Sequence, residues 1–142
     1  MTIVHTELTM STAATLEGLD RVTEAFEAFA SAHGVSDAVR RSIQIVLDEL
    51  LSNTARCGKV GSREPVVEVG FRLEGRTLRV EIVDDGVPFD PLAAEEPDTT
   101  LSLEERPIGG LGVMLVRRLV DEVSYEGEGG RNRVRFSKRL DP

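Results

Sequence analysis

Apolar residues recur with a helical period along residues 39–57, the longest regular pattern in the chain. A helix drawn from Val39 places these positions on one stripe, and a stripe of this kind packs against a core. Ser36 is a typical capping residue for the start of this helix, and Gly58 is typical of its end. The stripe consists of Val39, Ile43, Val46, Leu47, Leu50 and Thr54.

Two polar side chains, Glu49 and Asn53, border that stripe. They are four residues apart, so a helix places one above the other on the same flank. A polar pair beside a buried face can reach into a cleft while its helix still packs. Solvated Glu and Asn residues at this spacing occur in many helices, so the pair alone does not define a site.

The N-terminal part of the chain predicts a strand followed by a helix. Loose alternation of apolar and polar residues favours a short strand over 3–9, and residues 11–15 are typical of a turn. Residues 16–32 keep a helical apolar period, with Thr15 as a capping residue and Gly34 just beyond the end.

Two hairpins follow from strand patterns that are separated by glycine-containing turns. The first pair is joined at Gly75, and its alternation suggests antiparallel strands with one face on the core. The second pair is joined by the glycine-rich turn 127–130 near the end of the chain. The four predicted strands are 66–73, 77–83, 123–126 and 132–138.

Periodicity stops between residues 87 and 108, where four prolines and six acidic residues occur. A segment of this length without a regular element is usually a functional lid or a disordered segment. The glycine-rich run 109–112 then opens an apolar helix over 111–119. Because the element order lacks regular βαβ alternation, we predict an α+β fold, a two-layer sandwich, in a single domain spanning 1–142.

Composition narrows the classes of function. A formal net charge of −8 disfavours direct nucleic-acid binding, and the basic run 131–139 alternates with apolar residues like the exposed face of a strand. The single cysteine, Cys57, and the two histidines have no companions at metal-ligand spacing, so a structural zinc site is not expected. With no membrane-spanning run and no signal-peptide pattern, we expect a cytoplasmic protein without membrane contact.

Two further segments carry candidate chemistry. Asp84-Asp85-Gly86 ends a predicted strand, where a carboxylate can accept a hydrogen bond from an exocyclic amine. The glycines of 109–112 begin a helix, where backbone N–H groups and the positive end of the helix dipole attract phosphate. Asn53 can offer its amide oxygen to Mg²⁺, which prefers oxygen ligands. Each feature has a plainer interpretation, because Asp-Asp-Gly is also a turn signal and glycines often form tight turns.

In combination these segments resemble the GHKL ATPase superfamily of histidine kinases, Hsp90, gyrase B and MutL. They are most similar to its small anti-sigma-factor serine kinases of the RsbW and SpoIIAB kind. The family's N-box resembles DELLSNTARCG, and its G1 box resembles DDGVPFDP. The end of its ATP lid and its G2 box resemble EERPIGGLGVMLVRRLVDEVSY, and its first helix resembles LDRVTEAFEAF.

This resemblance implies a Bergerat fold, in which helices cover one face of a mixed sheet and ATP binds with Mg²⁺. Glu49 would be the general base that takes a proton from a serine hydroxyl, and Asn53 would ligate Mg²⁺. The implied partners are an anti-anti-sigma factor of the STAS fold and a sigma factor, and the implied assembly is a homodimer. The other implied contacts are Asp84 and Gly86 at adenine, Gly110, Leu111 and Gly112 at the phosphates, and Arg21 at the partner protein.

The chain also departs from the family pattern. Pro88 replaces the second glycine of the G1 box, Cys57 stands where many relatives have His, and Thr54 where they have Ala. The lid has no Lys, and Arg106 is its only basic residue. An alternative function is therefore an ATP-gated module that binds a partner without transferring phosphate. An adaptor with an inactive ATP site is disfavoured, because Glu49, Asn53 and Asp84 are all present.

Overall fold

The computed structural model describes residues 6–93 and 110–140, without the side chains of residues 110 and 111. Three helices and five strands make up this part of the chain. In chain order they are β1 Glu7–Ala13, α1 Leu16–Ala32, α2 Asp37–Cys57, β2 Val66–Glu74, β3 Thr77–Asp84, α3 Gly110–Leu119, β4 Glu122–Glu128 and β5 Arg131–Arg139.

The strands form one sheet in the order β1-β2-β3-β5-β4, and the helices pack against one of its faces. Buried apolar residues of all three helices belong to the same cluster as the inward-facing residues of the strands. Phe26 of α1 and Phe71 of β2 meet at its centre, with ring centroids 5.4 Å apart. The α+β two-layer architecture is therefore confirmed.

The expectation of a mixed sheet is wrong, because each neighbouring pair of strands is antiparallel. Two consecutive helices connect β1 to β2, so the chain returns to the sheet in the opposite direction. The single helix α3 connects β3 to β4, and those two strands do run in the same direction. They are not neighbours, however, because β5, which forms a hairpin with β4, lies between them in the sheet.

The first strand lies four residues further along the chain than the pattern predicted. It pairs with β2 through residues 7–13, and the predicted turn at 11–13 is wrong. A buried threonine, Thr12, explains the error, because its hydroxyl accepts a hydrogen bond from Arg21 at 2.8 Å. Because Arg21 satisfies its hydroxyl, Thr12 can occupy an inward strand position, where the sequence pattern predicts an apolar residue. Residues 1–5 lie outside the described part of the chain.

Both predicted helix caps are confirmed. The hydroxyl of Thr15 accepts from the Gly18 N–H at 3.1 Å, and the hydroxyl of Ser36 accepts from the Val39 N–H at 3.3 Å. The predicted stripe of α2 faces the core, with Ile43, Val46, Leu47 and Leu50 buried. Local sequence signals determine these features, and tertiary packing agrees with them.

The sheet face away from the helices is charged. Glu81 of β3 accepts from Arg133 at 3.1 Å and from Arg135 at 2.7 Å, both on β5. Partial burial raises the pKa of Glu81, but the two arginines outweigh it and the net pKa is lowered. The basic run 131–139 thus places arginines on an exposed, ion-paired strand face, as predicted. Among the described helices, none has the length and hydropathy needed to cross a bilayer.

Candidate functional site

A small cavity lies where α2, the end of β3, β5 and residues 87–91 meet. Its volume is about 20 Å³, which is room for about one water molecule. A purine base would require this cavity to widen. The polar side chains that line it are Asn53, Thr54, Asp84 and Asn132, and the apolar ones are Leu50, Ile82, Val87, Phe89, Pro91 and Val134.

The central helix supplies Asn53 to this cavity and Glu49 beside it. Asn53 is buried, and its Nδ2 lies 3.5 Å from Glu49 Oε1, so the predicted stacking of the pair is present. The Asn53 amide oxygen accepts a hydrogen bond from the Arg56 guanidinium. This oxygen therefore already faces a positive charge.

The first turn of α3 packs directly against the Glu49 carboxylate. A Cβ atom added to Gly112 would lie 1.9 Å from Glu49 Oε1 and 2.3 Å from its Cδ. Gly112 leaves room for the Glu49 carboxylate in this position, and a larger residue there would displace the end of the Glu49 side chain. A carboxylate beside the N-terminal turn of a helix interacts favourably with the positive end of the helix dipole.

Asp84, the last residue of β3, is buried with its side chain on the helix-facing side of the sheet. Its Oδ1 accepts from the Gly86 N–H and from Asn132 Nδ2, both at 2.9 Å. Gly86 is confined too, because an added Cβ would lie 2.5 Å from the carbonyl oxygen of Gly58. The chain after β3 thus packs on the end of α2, which brings Asp84 and Asn53 to one cavity.

Asp85, the next residue, does not line the cavity. Its carboxylate accepts from the Val66 N–H at 2.8 Å and from Arg63 at 3.2 Å. The bond from Val66 is the main cause of a lowered pKa for Asp85, and Arg63 adds to it. The two adjacent carboxylates therefore have different roles in the structure, and Asp85 ties the end of β3 to the start of β2.

We expect Asp85→Asn to destabilise the fold in a pH-dependent way. Because the folded pKa lies below the usual 3.8, the stabilisation is present above that value and is lost as pH falls through the lowered pKa. The side chain is 42 % exposed, and solvent screening limits the loss at neutral pH to about 1 kcal/mol or less. Urea unfolding of both proteins at neutral and acidic pH measures it. A difference in unfolding free energy that stays constant with pH would contradict this assignment.

Asn132 of β5 and Tyr125 of β4 are site residues that the sequence reasoning missed. The Asn132 Oδ1 accepts from the Tyr125 hydroxyl at 2.6 Å and from the Phe89 N–H at 3.1 Å. One signal was available, because Asn132 occupies the same register as the buried Val134 and Phe136. A polar residue at an inward strand position needs hydrogen-bond partners, and here those partners include Asp84.

The other predicted site residues are placed differently. Gly110 begins α3. The side chain of Leu111 lies outside the described part of the chain, as do Arg106 and the rest of residues 94–108 of the predicted lid. Arg21 is on α1, where it donates to Thr12 of β1 and does not line the cavity. The structure thus brings Asn53 and Asp84 together, with Glu49, Gly86 and Gly112 adjoining them.

A sequence profile of the histidine kinase-like ATPase domain matches residues 12–138. The chain belongs to this family. The match spans all the elements that form the cavity, and an ATPase family agrees with ATP as the predicted nucleotide. The predicted relation to the GHKL ATPases is therefore confirmed.

Among curated proteins, the chain is similar to two named kinases. It is 25% identical over 107 residues to the serine/threonine-protein kinase BtrW of Bordetella bronchiseptica, covering 75% of each chain. It is also 25% identical over 134 residues to the serine-protein kinase RsbW of Listeria monocytogenes, covering 91% of this chain and 85% of that one. These relatives support the predicted branch of the family.

Solved structures agree on the fold. One is the structure of the RsbU and RsbW domains of Rv1364c from Mycobacterium tuberculosis, with a TM-score of 0.68 and 15% identity over 94% of this chain. The match spans 32% of that longer chain. The catalytic domain of histidine kinase ThkA matches with a TM-score of 0.54 and 15% identity, covering 95% of this chain and 99% of that domain. The Bergerat fold predicted from the sequence motifs is confirmed.

Proposed function

We propose that this protein is an ATP-dependent serine protein kinase of the anti-sigma-factor type, formed by a single domain over residues 1–142. One observation carries the proposal: the Glu49 carboxylate lies between Asn53 and the first turn of α3. A carboxylate at that point would border both a cation ligand and a phosphate-binding helix N-terminus. The similarity to RsbW and BtrW, which are named as kinases, supports the same assignment.

Asp84 would recognise the base. Its Oδ1 is already engaged by two donors, which leaves Oδ2 to accept a hydrogen bond from the exocyclic amine of adenine. Gly86 keeps the following backbone close to α2, and the apolar side chains of the cavity would contact the faces of the base. The small volume of the cavity means that the cavity would have to widen before the base could bind.

The phosphates would bind at the start of α3. The residues assigned to them are Gly110, Leu111 and Gly112, where backbone N–H groups lack partners within the helix. Phosphate and the Glu49 carboxylate are both negative, so they would not share the first turn of α3. Nucleotide binding is thus expected to turn Glu49 away from Gly112 and toward an incoming hydroxyl group.

Asn53 fits a magnesium ligand by its chemistry, because its Oδ1 is a buried amide oxygen that already accepts from a cationic group. Mg²⁺ is commonly bound through one or two protein oxygens together with substrate phosphates. Bound there, Mg²⁺ would neutralise phosphate charge, and Arg56 would have to release the Asn53 oxygen. The guanidinium would then be free to face the phosphates.

Glu49 would act as the general base. It would take the proton from a serine hydroxyl of a partner protein while the serine oxygen forms a bond to the γ-phosphorus. The bond from that phosphorus to the β–γ bridging oxygen breaks, and ADP leaves. Phosphoryl transfer depends mainly on positioning and charge stabilisation, so one well-placed carboxylate suffices on the protein side.

The proposed partners follow from the family branch. An anti-anti-sigma protein of the STAS fold would supply the serine, and a sigma factor would compete for the kinase, which would act as a cytoplasmic homodimer. Arg21 is the proposed partner contact. It is exposed on α1 and bound to Thr12, outside the cavity, as a surface contact should be.

Calorimetric titration with ATP, with and without Mg²⁺, tests the site. We expect binding that Mg²⁺ strengthens, and we expect Asn53→Ala to remove most of that strengthening, because the variant lacks the ligand oxygen. Loss of one charge-assisted contact predicts an affinity about tenfold lower in Mg²⁺. Ser52→Ala, the neighbouring change on the same helix, serves as the control. No binding by the unaltered protein would refute the ATP site and, with it, the kinase proposal.

A further inference from the structure

The side-chain amide of Asn132 has all four of its hydrogen-bonding positions occupied. Nδ2 donates to Asp84 Oδ1 and to the Val87 carbonyl oxygen, both at 2.9 Å. Oδ1 accepts from the Tyr125 hydroxyl and from the Phe89 N–H. Two donors and two lone pairs are the full capacity of a carboxamide. The set of partners admits one orientation only, since a flipped amide would point its oxygen at two acceptors and its NH₂ group at the Phe89 N–H.

Three of these bonds connect β5 to the end of β3 and to the residues that follow it, and the fourth comes from β4. Asn132 lies on β5, Asp84 ends β3, and Val87 and Phe89 belong to the segment that follows β3. The amide therefore fixes one carboxylate oxygen and two backbone groups at once. In the described part of the chain no donor is recorded for Asp84 Oδ2, so this oxygen is the acceptor left for a ligand.

Tyr125 supports the amide from the neighbouring strand. It faces Val134 across the β4–β5 pair, and its hydroxyl reaches Asn132. Burial, together with the negative charges of Asp90 and Asp84, raises the pKa of Tyr125. The hydroxyl thus keeps its proton at neutral pH and remains a donor to Asn132.

We propose that Asn132 is a positioning residue for base recognition, which orients Asp84 and holds the Val87–Phe89 backbone beside it as one unit. The inference rests on the proposed ATP site and extends it to a residue outside the sequence segments from which that site was predicted. Without the Asn132 amide, only the Gly86 N–H would hold Asp84 Oδ1, and the carboxylate could rotate. The oxygen aimed at the base would no longer be fixed, so selectivity for an exocyclic amine would fall.

A pair of nucleotides separates positioning from general loss of structure. ATP and purine riboside triphosphate differ only in the 6-amino group, so the ratio of their affinities reports the bond to Asp84. We expect Asn132→Ala to lower the ratio of ATP affinity to purine riboside triphosphate affinity about tenfold, which is the effect of losing one charge-assisted hydrogen bond. The affinity for purine riboside triphosphate itself should change much less. Tyr125→Phe should lower the ratio about threefold, because Asn132 keeps its other partners.

Ser137→Ala is the matched control, because Ser137 is also buried on β5 but does not line the cavity. It should leave the ratio unchanged. Equal weakening of both nucleotides by Asn132→Ala would mean that Asn132 is merely structural, and the inference would be overturned.

Amide hydrogen exchange of Phe89, followed by NMR without nucleotide, tests the other half of the inference. The Phe89 N–H donates to Asn132 Oδ1, so its exchange should be at least about fivefold faster in Asn132→Ala than in Ser137→Ala. Unchanged exchange would overturn the claim that Asn132 holds this backbone. If the unaltered protein bound neither nucleotide, the proposed function and base recognition would both fail, whereas the exchange result would still decide the backbone claim.

Discussion

Glu49→Gln should lower phosphate transfer to a STAS-domain partner by at least about 100-fold, the usual contribution of a general base. ATP affinity should change by less than about threefold, since Gln has nearly the same shape and Glu49 is not the base-recognising group. The physical reason is that an amide cannot accept the serine proton. Radiolabel transfer from ATP measures the first quantity, and calorimetry measures the second.

The contact with Gly112 sharpens the expectation for ATP affinity. The carboxylate lies against the turn of α3 that is assigned to phosphate, so its charge opposes the incoming nucleotide. Removing that charge should leave ATP binding unchanged or slightly stronger, and weaker binding would contradict the assigned position of the phosphates. Asp48→Asn is the matched control, because Asp48 is the exposed neighbour on the same helix and loses the same charge.

The same variant separates the two candidate functions. A kinase loses partner regulation along with transfer, whereas an ATP-gated binding module keeps regulation because it never uses a base. If partner binding still responds to ATP in Glu49→Gln, and transfer is undetectable in the unaltered protein, the kinase proposal is wrong. The ATP site would then serve a switch.

Asp84→Asn should reduce ATP affinity by about 30-fold or more, a larger effect than loss of a single neutral hydrogen bond. The existing donors explain why. The Gly86 N–H and Asn132 Nδ2 both point at the Oδ1 position, so the new amide must place its oxygen there. Its NH₂ group then occupies the Oδ2 position, where it faces the 6-amino group of adenine, donor against donor.

This orientation of the new amide at position 84 predicts a change in nucleotide preference as well as a loss of ATP affinity. Inosine triphosphate carries a 6-oxo acceptor, so its affinity relative to ATP should rise in Asp84→Asn. Asp85→Asn removes the same charge one residue away, outside the cavity, and should leave both nucleotide affinities within about twofold. Calorimetry with the two nucleotides measures both ratios. Equal losses of ATP affinity in the two variants would mean that charge alone acts there, and that Asp84 does not contact the base.

Local sequence signals determined the helices and one half of the candidate site. The caps Thr15 and Ser36, the stripe of α2 and the spacing of Glu49 and Asn53 all follow from interactions within four residues. The hairpin of β2 and β3 is similarly local, because Gly75 adopts the positive φ that its turn needs. These features could be predicted because their geometry depends on short stretches of chain.

Tertiary structure decided what depends on distant residues. Nothing near Asn132 in the sequence indicates that its amide joins Asp84 to the backbone at Phe89, 43 residues away. The close approach of Gly112 to Glu49 and the position of β5 between β3 and β4 likewise arise from long-range packing. The predicted start of β1 is wrong because it also depends on a distant contact: Thr12 is buried with its hydroxyl bound to Arg21 of α1. Strand periodicity shows which side chains face inward, whereas strand order and hydrogen-bond partners depend on contacts between segments far apart in sequence.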